Sequence, residues 1–283
     1  DAVVFVEFPG TDNKIFKKLQ NSSKNLYLVA YESPVIVPDN LAPEILKYFK
    51  KVFTWADDLV DDKKYFKINY TYQKPQDVHF DLEKKEKLCV MIAGNKSAKH
   101  RGELYSERVK AIRWFEQNHP AEFDLFGLGW DRHNFQGEFL GIKLARLNRL
   151  KPLTKLLRPY YPSYRGLVKS KEAVYEKYKF SICYENVEGF NGYITEKIFD
   201  CFLAGCVPIY LGAPNVTDHI PANTFIDKRN FKTYEELYSY IKNMPNQEYE
   251  NYLEAIKNFL MGDKFHPFTF DYFAKLAARE ITT

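Results

Sequence analysis

The sequence predicts an α/β protein built on parallel sheets and divided into two successive units. Three observations carry this. Short apolar runs that read as strands alternate with helical stretches along most of the chain. The length of 283 residues exceeds the usual size of one domain. A polar, turn-rich and then charged segment, residues 57–87, separates two alternating series and is the predicted linker.

The first series has strand-like runs at 2–8 (AVVFVEF), 25–32 (NLYLVAYE) and 51–55 (KVFTW), with helical stretches near 12–20 and 40–49. The second series opens at 87–95 (KLCVMIAGN), a strand ending in a Gly-Asn loop. A helix is predicted over 102–118, where Leu104, Val109, Ile112 and Phe115 stand close to helical spacing. Strands at 123–129 (FDLFGLG), 179–185 (KFSICYE) and 206–212 (CVPIYLG) follow, with a helix from about Ile194 to Ala204 before the last. The units predicted are 1–84, 85–262 and a C-terminal helix at 263–283.

Residues 142–166 stand apart. Lys143, Arg146, Arg149, Lys151, Lys155, Arg158 and Arg165 lie among leucines with no acidic residue between them. Such a basic amphipathic segment either packs its leucines on the domain as a solvated helix or lies on an anionic membrane surface.

Composition narrows the function classes. The net charge of +4 suits a phosphate-bearing ligand and is too small to argue for nucleic acid. Aromatic content is 17%, with 21 Tyr and 23 Phe, which fits aromatic cores or sugar-stacking surfaces. Cys89, Cys183, Cys201 and Cys206 show neither a disulfide framework nor metal-ligand spacing; three of them sit in apolar runs as small hydrophobes, which favours a reducing compartment. Sequons at Asn21, Asn69, Asn95 and Asn215 weigh little against this in an Asn-rich chain. No apolar run reaches the roughly 18 residues of a membrane span, and no signal peptide is visible. The chain begins inside a strand-like run, so the expectation is that residues upstream have been trimmed.

The chemistry concentrates in YENVEGFNGYITEKIFDCFLAGCVPIYLG, residues 184–212. In an open parallel sheet, ligands bind beyond the C-terminal strand ends, where loops enter helices. Gly189 and Gly192 let the loop after the strand approach a ligand closely, and Gly205 closes the following helix as a C-terminal cap. The first turn of that helix holds Glu196 and Lys197 beside free backbone N–H groups, a seat for phosphate. Either this is a ligand mouth or a capped, solvated helix end. Convergence of Tyr184, Glu185, Asn186 and Tyr193 on the same place favours the former.

These residues resemble the signature region of the α-1,3/α-1,4-fucosyltransferases, glycosyltransferase family ten. The features shared are a Tyr-Glu-Asn strand end, a Tyr-X-Thr-Glu-Lys helix start and an Ala-Gly-X-X-Pro-X-X-X-Gly strand, in order. YESP (31–34) and GNKSAKHR (94–101) are similar to two further segments of the family, although Gly94 stands where Ser is common. Cysteine pairs typical of animal members are absent, which points to a bacterial-type relative.

The resemblance implies a GT-B fold, two Rossmann-like domains facing across a cleft, acceptor side first and donor side second, with the N-terminal domain truncated. It implies an inverting transferase moving L-fucose from GDP-fucose to a glycan hydroxyl, most commonly α-1,3 to N-acetylglucosamine. Inversion needs a base for the acceptor proton and positive charge at the departing diphosphate. The catalytic residues implied are Glu32 as base and Glu196 at the sugar; the donor-binding residues are Asn95, Arg101, Glu185, Asn186, Tyr193 and Lys197. Arg101 and Lys197 serve the diphosphate. Glu185 either contacts the donor or orients its loop. Asn186 and Tyr193 are ribose, phosphate or sugar contacts. Asp57, Asp58, Asp61 and Asp62 admit a metal reading, but the expectation is that no metal or cofactor is required, with Mn2+ or Mg2+ at most stimulating. The partners expected are GDP-fucose and an oligosaccharide acceptor, not nucleic acid, with peripheral membrane contact through 142–166. The location expected is cytoplasmic, at the inner face of the membrane, with a Golgi lumen less favoured. Two alternatives stay open: a transferase using another nucleotide sugar, and an inert carbohydrate-binding protein on the same scaffold.

Overall fold

The computed structural model describes residues 2–282 except 134, 136, 137, 140 and 141. The first sheet is parallel and pairs its strands in chain order: β1 (Ala2–Val6), β2 (Asn25–Ala30), β3 (Lys51–Thr54) and β4 (Tyr65–Lys67). Helices α1 (Lys14–Leu19) and α2 (Pro43–Leu46) lie in its first two crossovers. Asn13 caps α1, its side-chain oxygen accepting the N–H groups of Ile15 and Phe16. Phe16 then packs edge-on against Phe5 and Phe8 to fill one face of the sheet.

The segment 57–87 is not a free linker. Asp61 accepts the N–H groups of Lys63, Lys64 and Tyr65, each at 2.9 Å, and this turn feeds β4 into the sheet. Phe66 points inward against Phe53 while Tyr65 and Lys67 face outward, the two-residue alternation of a half-buried strand.

The second unit runs β5 (Lys87–Ile92), α3 (Tyr105–Asn118) and β6 (Phe123–Phe126), then a short arm of β7 (Glu138–Phe139) and β8 (Ile142–Lys143). It continues through α4 (Lys151–Leu156), α5 (Lys171–Tyr175), β9 (Tyr178–Tyr184), α6 (Glu196–Leu203), β10 (Val207–Leu211), α7 (Val216–His219), β11 (Ile226–Asp227), α8 (Tyr234–Lys242) and α9 (Asn246–Met261). Its parallel sheet has the order β11-β10-β9-β5-β6. β10 is apolar throughout and β9 is apolar but for Lys179 and Ser181, and both are buried almost end to end, as strands covered on both faces must be. All four cysteines are free and buried in this unit. Chain progress reverses between β5 and β9, so a crevice opens beyond their C-terminal ends.

The last helix, α10 (Phe270–Thr282), leaves the second unit and returns to the first. Phe273, Leu276, Ala277 and Ile281 cover the aromatic face made by Tyr27, Val29, Phe53, Phe66 and Ile68. Lys51 Nζ clamps it, donating to both the carbonyl (2.8 Å) and the carboxylate (2.9 Å) of Glu280.

The basic stretch 142–166 is not one amphipathic helix. It comprises β8, a 3₁₀ turn at Leu144–Arg149, the short α4 and a loop over residues 157–166. Pro159 and Pro162 forbid helical continuation. Its leucines do not all pack inward: Leu150, Leu156 and Leu157 are exposed, Leu156 to 81%. The Lys143 side chain lies outside the described residues.

Candidate functional site

The two units meet at a seam beside the crevice. Asp57, at the end of the first sheet, pairs with Lys67 at 2.6 Å and reaches across to His219 at 2.7 Å and Asn215 at 2.8 Å. Burial opposes ionisation of Asp57, but His219, Lys67 and Asn215 together hold it well below the usual carboxylate range. Asp58 accepts from Asn191 and Asp61 serves its turn, so these aspartates are engaged in structure. Among the described residues, no cluster of His, Cys, Asp and Glu is placed to hold a metal ion. Gly192 has φ +80°, and a Cβ there would lie 2.3 Å from the Trp55 carbonyl oxygen, so only glycine lets the loop close on the seam.

Beside this seam lies a cavity of about 330 Å3 at the C-terminal ends of β5 and β9, lined from both units. The first unit contributes Glu32 and Tyr70; the second contributes Lys96, Arg108, Asn186, Glu196 and Lys197. Burial, reinforced by Glu196 and Glu7 and opposed by Lys197 and Lys96, raises the proton affinity of Glu32. Its Oε2 is buried with no hydrogen-bond partner, a carboxylate oxygen aimed but unused.

At the start of α6 the expected seat of free N–H groups is partly taken. Glu185, fully buried, accepts the N–H of Thr195 (2.8 Å), the Thr195 hydroxyl (2.6 Å) and the Lys197 ammonium (3.1 Å). Of its two roles, Glu185 therefore orients the loop and Lys197; it does not line the cavity. Burial works against the Lys197 charge, but Glu185 and Glu196 outweigh it and raise its proton affinity, so the ammonium is fixed in both charge and position. Glu196, 3.3 Å from Lys197 Nζ, is pushed up by burial but held down on balance by Lys197. Past Leu203 the helix ends in a Schellman cap: Gly205, at φ +60°, donates to the Phe202 carbonyl and Cys206 to that of Cys201.

Three further expected site residues lie apart from this cavity lining. Tyr193 has its ring fully buried against Trp55, centroids 4.8 Å apart, and its hydroxyl accepts from Nδ2 of Asn186 at 3.4 Å. Arg101 is exposed and outside the cavity lining. Asn95 ties the end of β5 to the loop after β6 through the Gly129 carbonyl and faces a neighbouring pocket with Arg132 and His133. Glu32, Asn186, Glu196 and Lys197 do line the one cavity.

Arg108 was missed. Buried on α3, it donates to the carbonyls of Tyr184 (2.7 Å) and Glu185 (2.8 Å) and to Asn186 Oδ1 (3.1 Å), fixing the end of β9. The signal was present: Leu104, Arg108, Ala111, Ile112 and Phe115 occupy one helical stripe, and an arginine in an apolar stripe demands partners inside.

Two Rossmann-like sheets facing one cleft, with a carboxylate from one side and cations from the other, define the GT-B architecture. The solved structures agree: a crystal structure of an alpha1,3-fucosyltransferase superposes over 100% of this chain and 78% of that one, with TM-score 0.60 and 16% identity. An alpha1,3-fucosyltransferase structure with GDP-fucose superposes over 89% of this chain and 80% of that one, with TM-score 0.53 and 17% identity. Residues 160–268 match the family model of glycosyltransferase family 10 (fucosyltransferase), C-terminal part. An alpha-(1,3)-fucosyltransferase of Helicobacter pylori is 40% identical over 75 residues, which span 26% of this chain and 16% of that relative.

Proposed function

We propose that this chain is an inverting fucosyltransferase that moves L-fucose from GDP-fucose to a glycan hydroxyl, α-1,3 to N-acetylglucosamine. One observation carries the reading: a carboxylate of the first unit, Glu32, and a cation of the second, Lys197, face a single cavity. The acceptor oxygen attacks the anomeric carbon as Glu32 takes its proton, and the bond from that carbon to the diphosphate oxygen breaks on the opposite face. Negative charge then grows on the departing GDP, where Lys197, supported by Lys96 and the remaining N–H groups at the start of α6, stabilises it. Glu196 stands beside Lys197 to meet sugar hydroxyls or the developing positive charge at the anomeric carbon. These protein cations supply what a metal would supply at the diphosphate, so Mn2+ or Mg2+ is a stimulant in this reading and not a resident group.

The test is calorimetry with GDP and UDP followed by transfer from GDP-fucose to an acceptor array. Lys197→Ala and Arg101→Ala should each weaken GDP binding by about 1.5–3 kcal/mol, the scale of charge-assisted hydrogen bonds. Preference for UDP would favour a different nucleotide sugar. Donor binding with neither transfer nor donor hydrolysis would favour an inert binder.

We also propose that residues 142–166 touch an anionic membrane surface, which places the protein at the cytoplasmic face. Arg146, Arg149, Lys151, Lys155 and Arg158 are exposed beside Leu150, Leu156, Leu157 and Tyr160, the pairing of charge and apolar surface that a lipid interface takes up. Among the described residues no helix is long and apolar enough to cross a membrane, so the contact is peripheral. Sedimentation with anionic vesicles should occur at low salt and fade as salt rises; equal recovery with neutral vesicles would count against it.

A further inference from the structure

Glu32 stands on a loop, and a general base on a loop must be held by something. We propose that Glu7 and Asn40 form a clamp that positions Glu32 in the cleft; the catalytic part of this inference rests on the reading of Glu32 as the base.

Glu7 follows β1 and has φ +63°, the left-handed region that glycine enters freely and a glutamate holds only against strain. The strain persists because the side chain is engaged. Oε1 of Glu7 accepts the N–H of Tyr31 at 2.8 Å and the N–H of Glu32 at 3.1 Å. Its other oxygen accepts from Nδ2 of Asn40. Asn40 is fully buried; it also donates to the Glu32 carbonyl at 3.0 Å and accepts the Phe8 N–H at 2.9 Å.

Both peptide groups flanking the Glu32 Cα are thus tied to one carboxylate–amide pair. The Glu32 side chain, by contrast, leaves Oε2 unpartnered at the cavity. Backbone pinned and carboxylate free is the arrangement a positioned base requires, since misplacement by about 1 Å can cost about 100-fold in rate. The charge of Glu7 also faces Glu32, together with those of Glu196, Lys197 and Lys96 and the hydroxyls of Tyr70, Tyr105 and Tyr193. Glu7 is therefore a positioning residue with an electrostatic effect on the same group.

The chemistry of the pair supplies its own control. Glu7→Gln keeps shape but sets one amide nitrogen against another, Nε2 against Nδ2 of Asn40. Asn40→Asp sets two carboxylates against each other. Glu7→Gln with Asn40→Asp restores a donor facing an acceptor between the two side chains and returns the local charge to its original value, while the Glu32 carbonyl loses the Nδ2 donor. For each single variant we expect kcat for transfer from GDP-fucose to fall by about 10–100-fold with GDP binding retained. The acidic limb of the pH–rate profile should move to lower pH in Glu7→Gln, where a negative neighbour is lost, and to higher pH in Asn40→Asp. The double variant should recover the original limb and part of the rate that Asn40→Asp loses, since the side-chain pair is restored but the bond to the Glu32 carbonyl is not.

Hydrogen exchange at the Tyr31 and Glu32 amides provides a readout independent of turnover. Protection should fall in the single variants and rise in the double above that of Asn40→Asp. Unchanged protection in Glu7→Gln, or a double variant no better than Asn40→Asp alone, overturns the clamp. If protection follows the clamp but Glu32→Gln still turns over normally, the clamp stands as structure and the base assignment fails.

Discussion

Glu32 holds its proton more tightly in the folded protein than in water because burial and the nearby Glu196 and Glu7 outweigh Lys197 and Lys96. A carboxylate raised in this way favours folding below its unfolded value, about 4.3, and loses that contribution as pH rises through the folded value. At neutral pH the ionised side chain is therefore a cost to the fold. Glu32→Gln should melt higher than the parent at pH 7, on a scale of about 2–4 °C for each kcal/mol relieved, and the advantage should vanish in acid. Turnover should fall by about 10²–10⁴, the usual effect of removing a general base. A variant that melts like the parent at both pH values would show that the carboxylate is well solvated. Gain in stability with loss in turnover is the pattern expected of a group placed for chemistry.

At the scale of the element, the start of α6 works as a unit around Glu185. Replacing it by Gln removes the buried counter-charge of Lys197 and should cost about 3 kcal/mol or more in unfolding free energy, with weaker GDP binding as the ammonium loses its anchor. Urea unfolding beside GDP titration checks both; a stable variant that binds normally would mean that Thr195 alone sets the helix start. This element was legible in the sequence because a polar cluster between two apolar runs has few explanations in a parallel sheet. The long strands were legible for the same reason, as mainly apolar runs. β4 was not, since three residues with one inward Phe carry almost no period. Arg101 and Tyr193 were assigned from their places in motifs, which say nothing of burial, whereas Arg108 was hidden by its remoteness in sequence from the residues it holds. In 142–166 the charge pattern reads as one helix, but Pro159 and Pro162 break it.

At the scale of the molecule, two sheets are held in register by a polar seam and by one returning helix. The seam is narrow: Asp57 with His219 and Asn215, and Trp55 against Tyr193. The returning helix covers the aromatic face of the first sheet. A chain ending at residue 268 should leave Phe53, Phe66 and Tyr27 facing water, bind a hydrophobic dye and lose cooperative melting of the first unit. Retention of a single sharp transition without dye binding would show that the sheet is sufficient without α10.

The return of α10 also has a meaning in time. Residues of the first sheet leave the ribosome roughly 200 residues before Phe270, an interval of about 10–40 s at ordinary elongation rates. Through that interval one face of the sheet has no native cover. We therefore predict that the N-terminal unit matures last although it is made first, and that nascent chains stalled before residue 270 are cut by protease within their first 70 residues while the following unit resists. Synthesis order and folding order run in opposite directions here, and α10 decides when β1–β4 become native.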